Sequence, residues 1–159
     1  MYARDHALIA TPIGAIRVEG DDVALTGIRI GGEGARSSGG SMAVREAAKQ
    51  LEQWFARERE SFDLPLTPAG TPRGDVLRAG LIAVGYGATL SYGALARALG
   101  SSPRAIGQLC ARNPFPIVVP CHRVLGSGGA LGAYSASDGP KTKSWLLEHE
   151  RRHPEGTLL

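Results

Sequence analysis

The sequence predicts a small α/β N-terminal domain, an antiparallel sheet plus a helix, followed by a mainly α C-terminal domain with a helix-turn-helix. Three observations predict it. Apolar and polar residues alternate over residues 7–30 around a Gly-Asp-Asp turn, the period of half-buried strands. From about Met42 to Glu60 the period lengthens to that of a helix. Between residues 74 and 112, helix start and stop signals recur at short intervals.

The elements follow in order. Residues 31–40, GGEGARSSGG, form a Gly/Ser loop. Val44, Ala47, Ala48, Leu51, Trp54 and Phe55 then make one apolar stripe on the first helix. Residues 62–66 are expected to be extended. The stretch Thr67–Pro72 holds two prolines and a glycine and is the best linker, so the domains are expected at 1–70 and 71–159. A helix over Gly74–Val84 closes at Gly85-Tyr86-Gly87. Ser91 caps a helix over Tyr92–Leu99, and Ser102 caps another over Pro103–Arg112, with proline at the favoured first position. Ile117-Val118-Val119 is predicted as a short buried strand, and Gly126–Gly132 as a glycine-rich loop. The last helix, about Lys141 to Arg152, is expected to turn Trp145, Leu146 and Leu147 inward.

Charge divides the chain. Between Asp75 and Asp138 there is no carboxylate, yet Arg78, Arg97, Arg104, Arg112 and Arg123 lie there. An acid-free basic segment suits a polyanion, because a carboxylate near a phosphate opposes binding. A core segment needing few charges of either sign explains the same composition, and composition alone leaves both open.

The helices over 91–112 have helix-turn-helix spacing. Ala96 is small enough for close approach, Gly100 supplies the positive φ of the turn, and Ile106 faces the shared core. On spacing alone, DNA binding and simple packing of two helices both stand. No apolar run approaches the roughly 20 residues that span a bilayer. The start, MYARDHALIATPIG, lacks the apolar stretch of a secretory signal, so a cytosolic location and no membrane partner are expected.

Cys110 and Cys121 have no second pair of cysteines beside them, which suits neither a disulfide framework nor a zinc ligand set. Cys110, inside a helix between Leu109 and Ala111, reads as a core residue. Cys121 follows the predicted strand directly, and His122 and Arg123 beside it favour the thiolate that a cysteine nucleophile needs.

The block Asn113-Pro114-Phe115-Pro116-Ile117-Val118-Val119-Pro120-Cys121-His122-Arg123-Val124 resembles the signature of the O6-alkylguanine-DNA alkyltransferases, the methylated-DNA–protein-cysteine methyltransferases. The likeness continues through Gly126, Tyr134-Ser135 and Lys143-Ser144-Trp145-Leu146-Leu147-Glu148-His149-Glu150. Upstream, Tyr86-Gly87 and Ser91-Tyr92-Gly93-x-Leu95-Ala96 are similar, as are Thr11-Pro12-Ile13-Gly14 and Leu51-x-x-Trp54-Phe55-Ala56. It thus covers nearly the whole chain.

The resemblance implies a ribonuclease H-like N-terminal domain and a C-terminal DNA-binding, alkyl-acceptor domain. It implies DNA repair by stoichiometric, irreversible transfer of the alkyl group of O6-alkylguanine to Cys121, with O4-alkylthymine a second candidate lesion. His122 would act as base through a water, Glu150 would orient the imidazole, and Asn113 would brace the turn holding the thiol. Tyr92 would help rotate the nucleotide and donate to guanine. Arg104 would fill the space of the flipped base. The second helix would dock in the minor groove of double-stranded DNA, with Ala105 and Gly107 small for close approach and Arg123 among the DNA- and substrate-facing residues. Tyr134 and Ser135 would line the guanine pocket, and Lys143 would support its wall. A single-turnover monomer without cofactor or metal is implied, with cooperativity on DNA left open.

The departures from the family pattern lie at two places. Arg73, Gly74, Leu77 and Arg78 stand where the family usually has Phe-Gln and a later Val-Trp, which implies a helix packed differently. The run Tyr134 to Lys143 is two residues longer than usual, which implies a changed pocket rim. Zinc-binding relatives use N-terminal cysteine and histidine, and this chain has His6 and no cysteine before Cys110. Three other classes compete. A non-catalytic lesion binder of the alkyltransferase-like type commonly replaces the cysteine. A transcription factor leaves the Pro-Cys-His-Arg block unexplained. A cysteine hydrolase needs turnover and an oxyanion hole.

Overall fold

Strands β1 (Asp5–Thr11) and β2 (Gly14–Gly20) form a hairpin in register from Asp5↔Gly20 to Thr11↔Gly14. Strand β3 (Leu25–Ile30) continues it antiparallel, giving the order β1-β2-β3. A computed structural model provides this description, which covers residues 4–32 and 34–151. Alternation puts Ala7, Ile9, Ile16, Val18, Ile28 and Ile30 inside, and Leu25, beyond a register shift at Glu19/Gly20, is buried as well. Helix α1 (Met42–Phe55) packs on the sheet and buries Val44, Ala47, Leu51 and Trp54 of the expected stripe.

The start of α1 is held from a distance. Asp5 Oδ2 accepts from the backbone N–H groups of Gly40 at 2.7 Å and Ser41 at 2.8 Å, and from the Ser41 hydroxyl at 2.9 Å. These bonds, led by the Ser41 N–H, lower the Asp5 carboxyl to about 2 against the opposing effect of its burial. The stretch expected to be extended pairs beside β3: the Leu25 N–H donates to the Pro65 carbonyl at 2.8 Å, and the Thr67 N–H to the Leu25 carbonyl at 3.0 Å.

The chain divides into one compact unit through Thr67 and a second from Pro68. In the second, helix α2 (Pro72–Ile82) starts at Thr71, whose hydroxyl accepts from Gly74 N–H at 3.0 Å. The short strand β4 (Leu90–Ser91) leads into α3 (Tyr92–Ala98), a turn, and α4 (Pro103–Ala111). Ser91 and Ser102 cap as the sequence predicts, accepting from Ala94 N–H and Ala105 N–H. Gly100 has φ 63°, and Ala96 and Ile106 are buried between the two helices.

The unusual residues of α2 serve this motif. Arg73 Nη2 donates to the carbonyls of Leu99 at 2.9 Å and Gly100 at 3.1 Å, satisfying acceptors that the end of α3 leaves open. Leu77 is buried, and the Arg78 guanidinium lies 5.4 Å from the Phe115 ring centre.

The predicted strand at Ile117–Val119 is a tight turn. Ile117 has φ 76°, the Val119 N–H donates to the Phe115 carbonyl at 2.8 Å, and the Cys121 N–H to the Val119 carbonyl at 2.8 Å. A positive φ is a strained conformation for a β-branched residue. Burial of Phe115, Ile117, Val118 and Val119 holds it, and the same apolar run imitated a strand in the sequence. Strand β5 (Val124–Leu125) pairs in parallel with β4, and α5 (Pro140–Arg151) closes the unit. The predicted end of that helix at Arg152 lies outside the described residues. Leu146 and Leu147 are buried as expected. Trp145 is only half-buried and stacks on the His149 ring with centroids 5.0 Å apart.

Candidate active site

Cys121 opens a short 3-10 turn, Cys121–Arg123, placed between the strained turn and β5. Asn113 secures the approach. Its Nδ2 donates to the Val119 carbonyl at 2.9 Å and to Cys121 Sγ at 3.3 Å, while its Oδ1 accepts from Phe115 N–H at 2.9 Å. One side chain thereby fixes both ends of the turn and the thiol. Cys121 is 3% exposed and faces a cavity of about 140 Å³. Tyr92, Gly107, Cys110, Ala111, Tyr134 and Ser135 are among the residues that enclose it.

Behind the thiol lies a buried polar cluster. His122 Nε2 and Glu150 Oε2 are 2.9 Å apart. Arg123 donates to the same carboxylate through Nε at 3.0 and 3.2 Å and through Nη2 at 2.7 Å, and through Nη1 to the Val84 carbonyl at 2.6 Å. Burial opposes ionisation of Glu150, but the hydrogen bonds of His122 and Arg123 outweigh it and hold the carboxyl at about 2. For His122, burial dominates and lowers its pKa despite Glu150, so the imidazole is neutral at pH 7. With Nε2 engaged by Glu150, Nδ1 has no partner among the described residues. A neutral imidazole with a free nitrogen can accept a proton.

Arg123, expected among the DNA- and substrate-facing residues, is therefore 5% exposed and spent on Glu150 and Val84. Its charge balances the carboxylate internally. Lys143 is buried too. Its Nζ donates to the Val124 carbonyl at 2.7 Å and the Ala133 carbonyl at 3.4 Å, and lies 5.8 Å from the Tyr92 ring centre. Burial lowers its pKa, against the opposing pull of the two thiols.

The phenol of Tyr134 is buried with no partner among the described residues, and burial raises its pKa. Tyr92 is shifted the same way by burial and by the two thiols. Both hydroxyls thus remain donors at neutral pH. Arg104 is exposed at the start of α4, and Gly107 on the same helix has open space where a Cβ would stand. Ala105 is half-buried on that helix. Cys110, read from the sequence as a core residue, lines the cavity with Cys121. Its position three residues after Gly107 on a helix was the signal, since residues so spaced share a face. Among the described residues no group of three or more potential ligands could hold a metal ion.

The extra residues of the 134–143 run do not line the cavity. The Gly139 N–H donates to the Ala136 carbonyl at 3.0 Å, the Asp138 N–H to Thr142 Oγ1 at 3.1 Å, and the Lys143 N–H to the Gly139 carbonyl at 3.1 Å. They form the turn that leads into α5, and the wall itself is Ala133, Tyr134 and Ser135.

This geometry has known counterparts. A methylated-DNA–protein-cysteine methyltransferase of Methanosarcina acetivorans is 37% identical over 153 residues, covering 91% of this chain and 97% of that protein. The chain belongs to the methylated-DNA–protein-cysteine methyltransferase family. The family description "6-O-methylguanine DNA methyltransferase, DNA binding domain" matches residues 74–152, which contain α3, α4, Cys121 and Glu150. The crystal structure of the Mycobacterium tuberculosis OGT in complex with DNA is similar with a TM-score of 0.78 at 35% identity, covering 92% of each chain. A Thermus thermophilus relative named a DNA base-flipping protein is 44% identical over 112 residues, 69% of this chain and 73% of that protein. As a member of the methyltransferase family, this chain is a DNA-repair protein that acts by alkyl transfer.

Proposed function

We propose that this protein repairs double-stranded DNA by moving the alkyl group of O6-alkylguanine onto Cys121 Sγ, once per molecule. The observation that carries the reading is the cavity itself: Cys121 opens onto it beside two tyrosine hydroxyls and Ser135, with a neutral, buried His122 adjacent in sequence. His122, through a water, takes the thiol proton, and Glu150, itself held by Arg123, orients the imidazole. The sulfur–carbon bond forms as the O6–carbon bond breaks. The electron pair stays on guanine, which gains the proton the thiol lost, with Tyr92 donating to the base. Tyr134 and Ser135 hold guanine, and Lys143 supports that wall.

Exposed Arg104 fills the space of the flipped nucleotide, and α4 docks in the minor groove, where Ala105 and Gly107 allow close approach. The protein acts as a monomer in the cytosol, where a lone acceptor thiol stays reduced. O4-alkylthymine is a further candidate lesion for the same chemistry.

The test is mass spectrometry after mixing with duplex DNA carrying O6-methylguanine. The expected product is heavier by one CH2, with the methyl group on Cys121, and Cys121→Ala gains none. A methyl group found on Cys110 overturns the assignment. A second reading, lesion binding without transfer, draws on the relative named a base-flipping protein. It predicts tight binding to the damaged duplex and no gain of mass.

A further inference from the structure

One group in the cavity has no part in the transfer chemistry. Cys110 projects from α4 and Cys121 from the turn after Pro120, so the two sulfurs reach the same cavity from separate elements. Both cysteines are free, and both line this one cavity. Cys110 is half-buried, whereas Cys121 is almost enclosed. On the rim, Ala133 and Ser135 are exposed and Gly107 presents no side chain, which gives a small solute access.

We infer that Cys110 is a redox partner of Cys121: when a peroxide oxidises the pair, Cys110 and Cys121 close into a disulfide that reversibly shields the alkyl acceptor. The word acceptor rests on the function proposed above, whereas the disulfide itself does not. In the first step the Cys110 sulfur attacks peroxide, the O–O bond breaks, and a sulfenic acid and one water result. In the second, the Cys121 sulfur attacks that sulfur, the S–S bond forms, and the hydroxyl leaves with the Cys121 thiol proton as a second water. The sulfur pair loses two electrons and the peroxide gains them.

The order of attack follows from the surroundings. The neighbouring Cys121 thiol lowers the Cys110 thiol, burial opposes this, and the Lys143 charge assists it. Cys110 and burial in turn raise the Cys121 thiol. A thiol that is both more accessible and more readily ionised meets the oxidant first. Thiols that already face one cavity then approach by side-chain rotation, not refolding. Without a neighbour, a singly oxidised acceptor would proceed to sulfinic or sulfonic acid, which thiols do not restore.

The experiment treats the whole reduced protein with hydrogen peroxide, then compares it with Cys110→Ser by peptide mass mapping and by alkyl transfer from O6-benzylguanine. Wild-type protein is expected to lose two hydrogens and yield one linked pair of peptides containing Cys110 and Cys121. It should lose transfer activity and regain it fully with dithiothreitol. Cys110→Ser should instead carry added oxygens on Cys121 and stay inactive after reduction. Sulfinic acid on wild-type Cys121 with no linked peptides overturns the inference, as does equal recovery of both proteins. If Cys110→Ser fails to fold, the wild-type linked pair alone decides. Transfer by the protein before oxidation is measured in the same samples; its absence sinks the proposed function while the linked peptides still answer for the disulfide.

Discussion

His122 and Glu150 form a buried pair, Nε2 to Oε2 at 2.9 Å, that joins the turn carrying Cys121 to the last helix. Arg123 completes it by gripping the same carboxylate and the carbonyl of Val84 at the end of α2. Three separate stretches of chain therefore meet at one carboxylate, and Gly87 N–H also reaches Glu150 Oε1 at 3.4 Å. Such a group is worth most where every partner is present, because removing one leaves a buried charge uncompensated.

Arg123→Met should accordingly destabilise the protein by about 3–5 kcal/mol, read as a lower denaturant midpoint. Arg123→Lys should restore little, since one ammonium cannot hold the carboxylate bidentately and also reach Val84. A near-wild-type midpoint for Arg123→Met would show that the cluster contributes nothing net.

Acid should unfold the protein in two stages. The folded pKa of His122 is lowered, so its contribution is present above its unfolded value and declines as pH falls below about 6.5. Glu150 is depressed from 4.5 to about 2, so its contribution is complete above 4.5 and is lost as pH falls towards 2. Thermal midpoints measured from pH 7 to pH 3 should therefore fall steadily. In His122→Gln the early decline, just below pH 6.5, should flatten. An unchanged early slope would mean that His122 is not buried in its neutral form.

Much of this was legible in the chain because local signals act locally. Ser91, Ser102, Gly100 and Pro103 announce the helix-turn-helix, since caps and a positive φ depend on single residues. Asn113, Cys121, His122 and Glu150 were named from family likeness, and the fold brings them together. Arg123 misled because an arginine in an acid-free segment reads as a phosphate contact, and its carboxylate lies far along the chain at Glu150. Ile117–Val119 misled because periodicity cannot separate a short buried strand from a buried turn. Cys110 reads as a core residue because its helical neighbours are apolar, although it shares a face with Gly107.

Asn113→Ala should lower stability by about 1–3 kcal/mol, the range for a buried polar group left without its partner. It should slow transfer further than the lost stability explains, because the bond to Cys121 Sγ and the brace across the turn disappear together. Pre-steady-state transfer from O6-benzylguanine, compared at a temperature where both proteins are folded, checks this. Equal rates would limit Asn113 to a folding role.

Arg104→Ala should slow transfer from duplex DNA much more than from free O6-benzylguanine, because the exposed side chain has work to do only when a base leaves the stack. DNA affinity of the wild-type protein should also fall with rising salt, as expected where arginines meet phosphates. Comparable losses on both substrates, or an affinity indifferent to salt, would count against the docking of α4.

Selectivity for the size of the alkyl group should reside at Lys143 and not in the longer run before it. Lys143 Nζ ties the Ala133 carbonyl to the Val124 carbonyl, and so fixes the wall that Ala133, Tyr134 and Ser135 present to the cavity. Asp138 and Gly139 instead build the turn before α5, bonded to Thr142, Ala136 and Lys143. Lys143→Met keeps most of the buried stem and removes both hydrogen bonds, which should loosen that wall and change the ratio of benzyl to methyl transfer. Thr142→Ala removes the bond to Asp138 N–H and should lower stability by about 1 kcal/mol while leaving that ratio unchanged. Transfer rates for the two adducts, measured on both variants, separate the roles. A ratio that shifts in Thr142→Ala and holds in Lys143→Met would return control of the rim to the longer run.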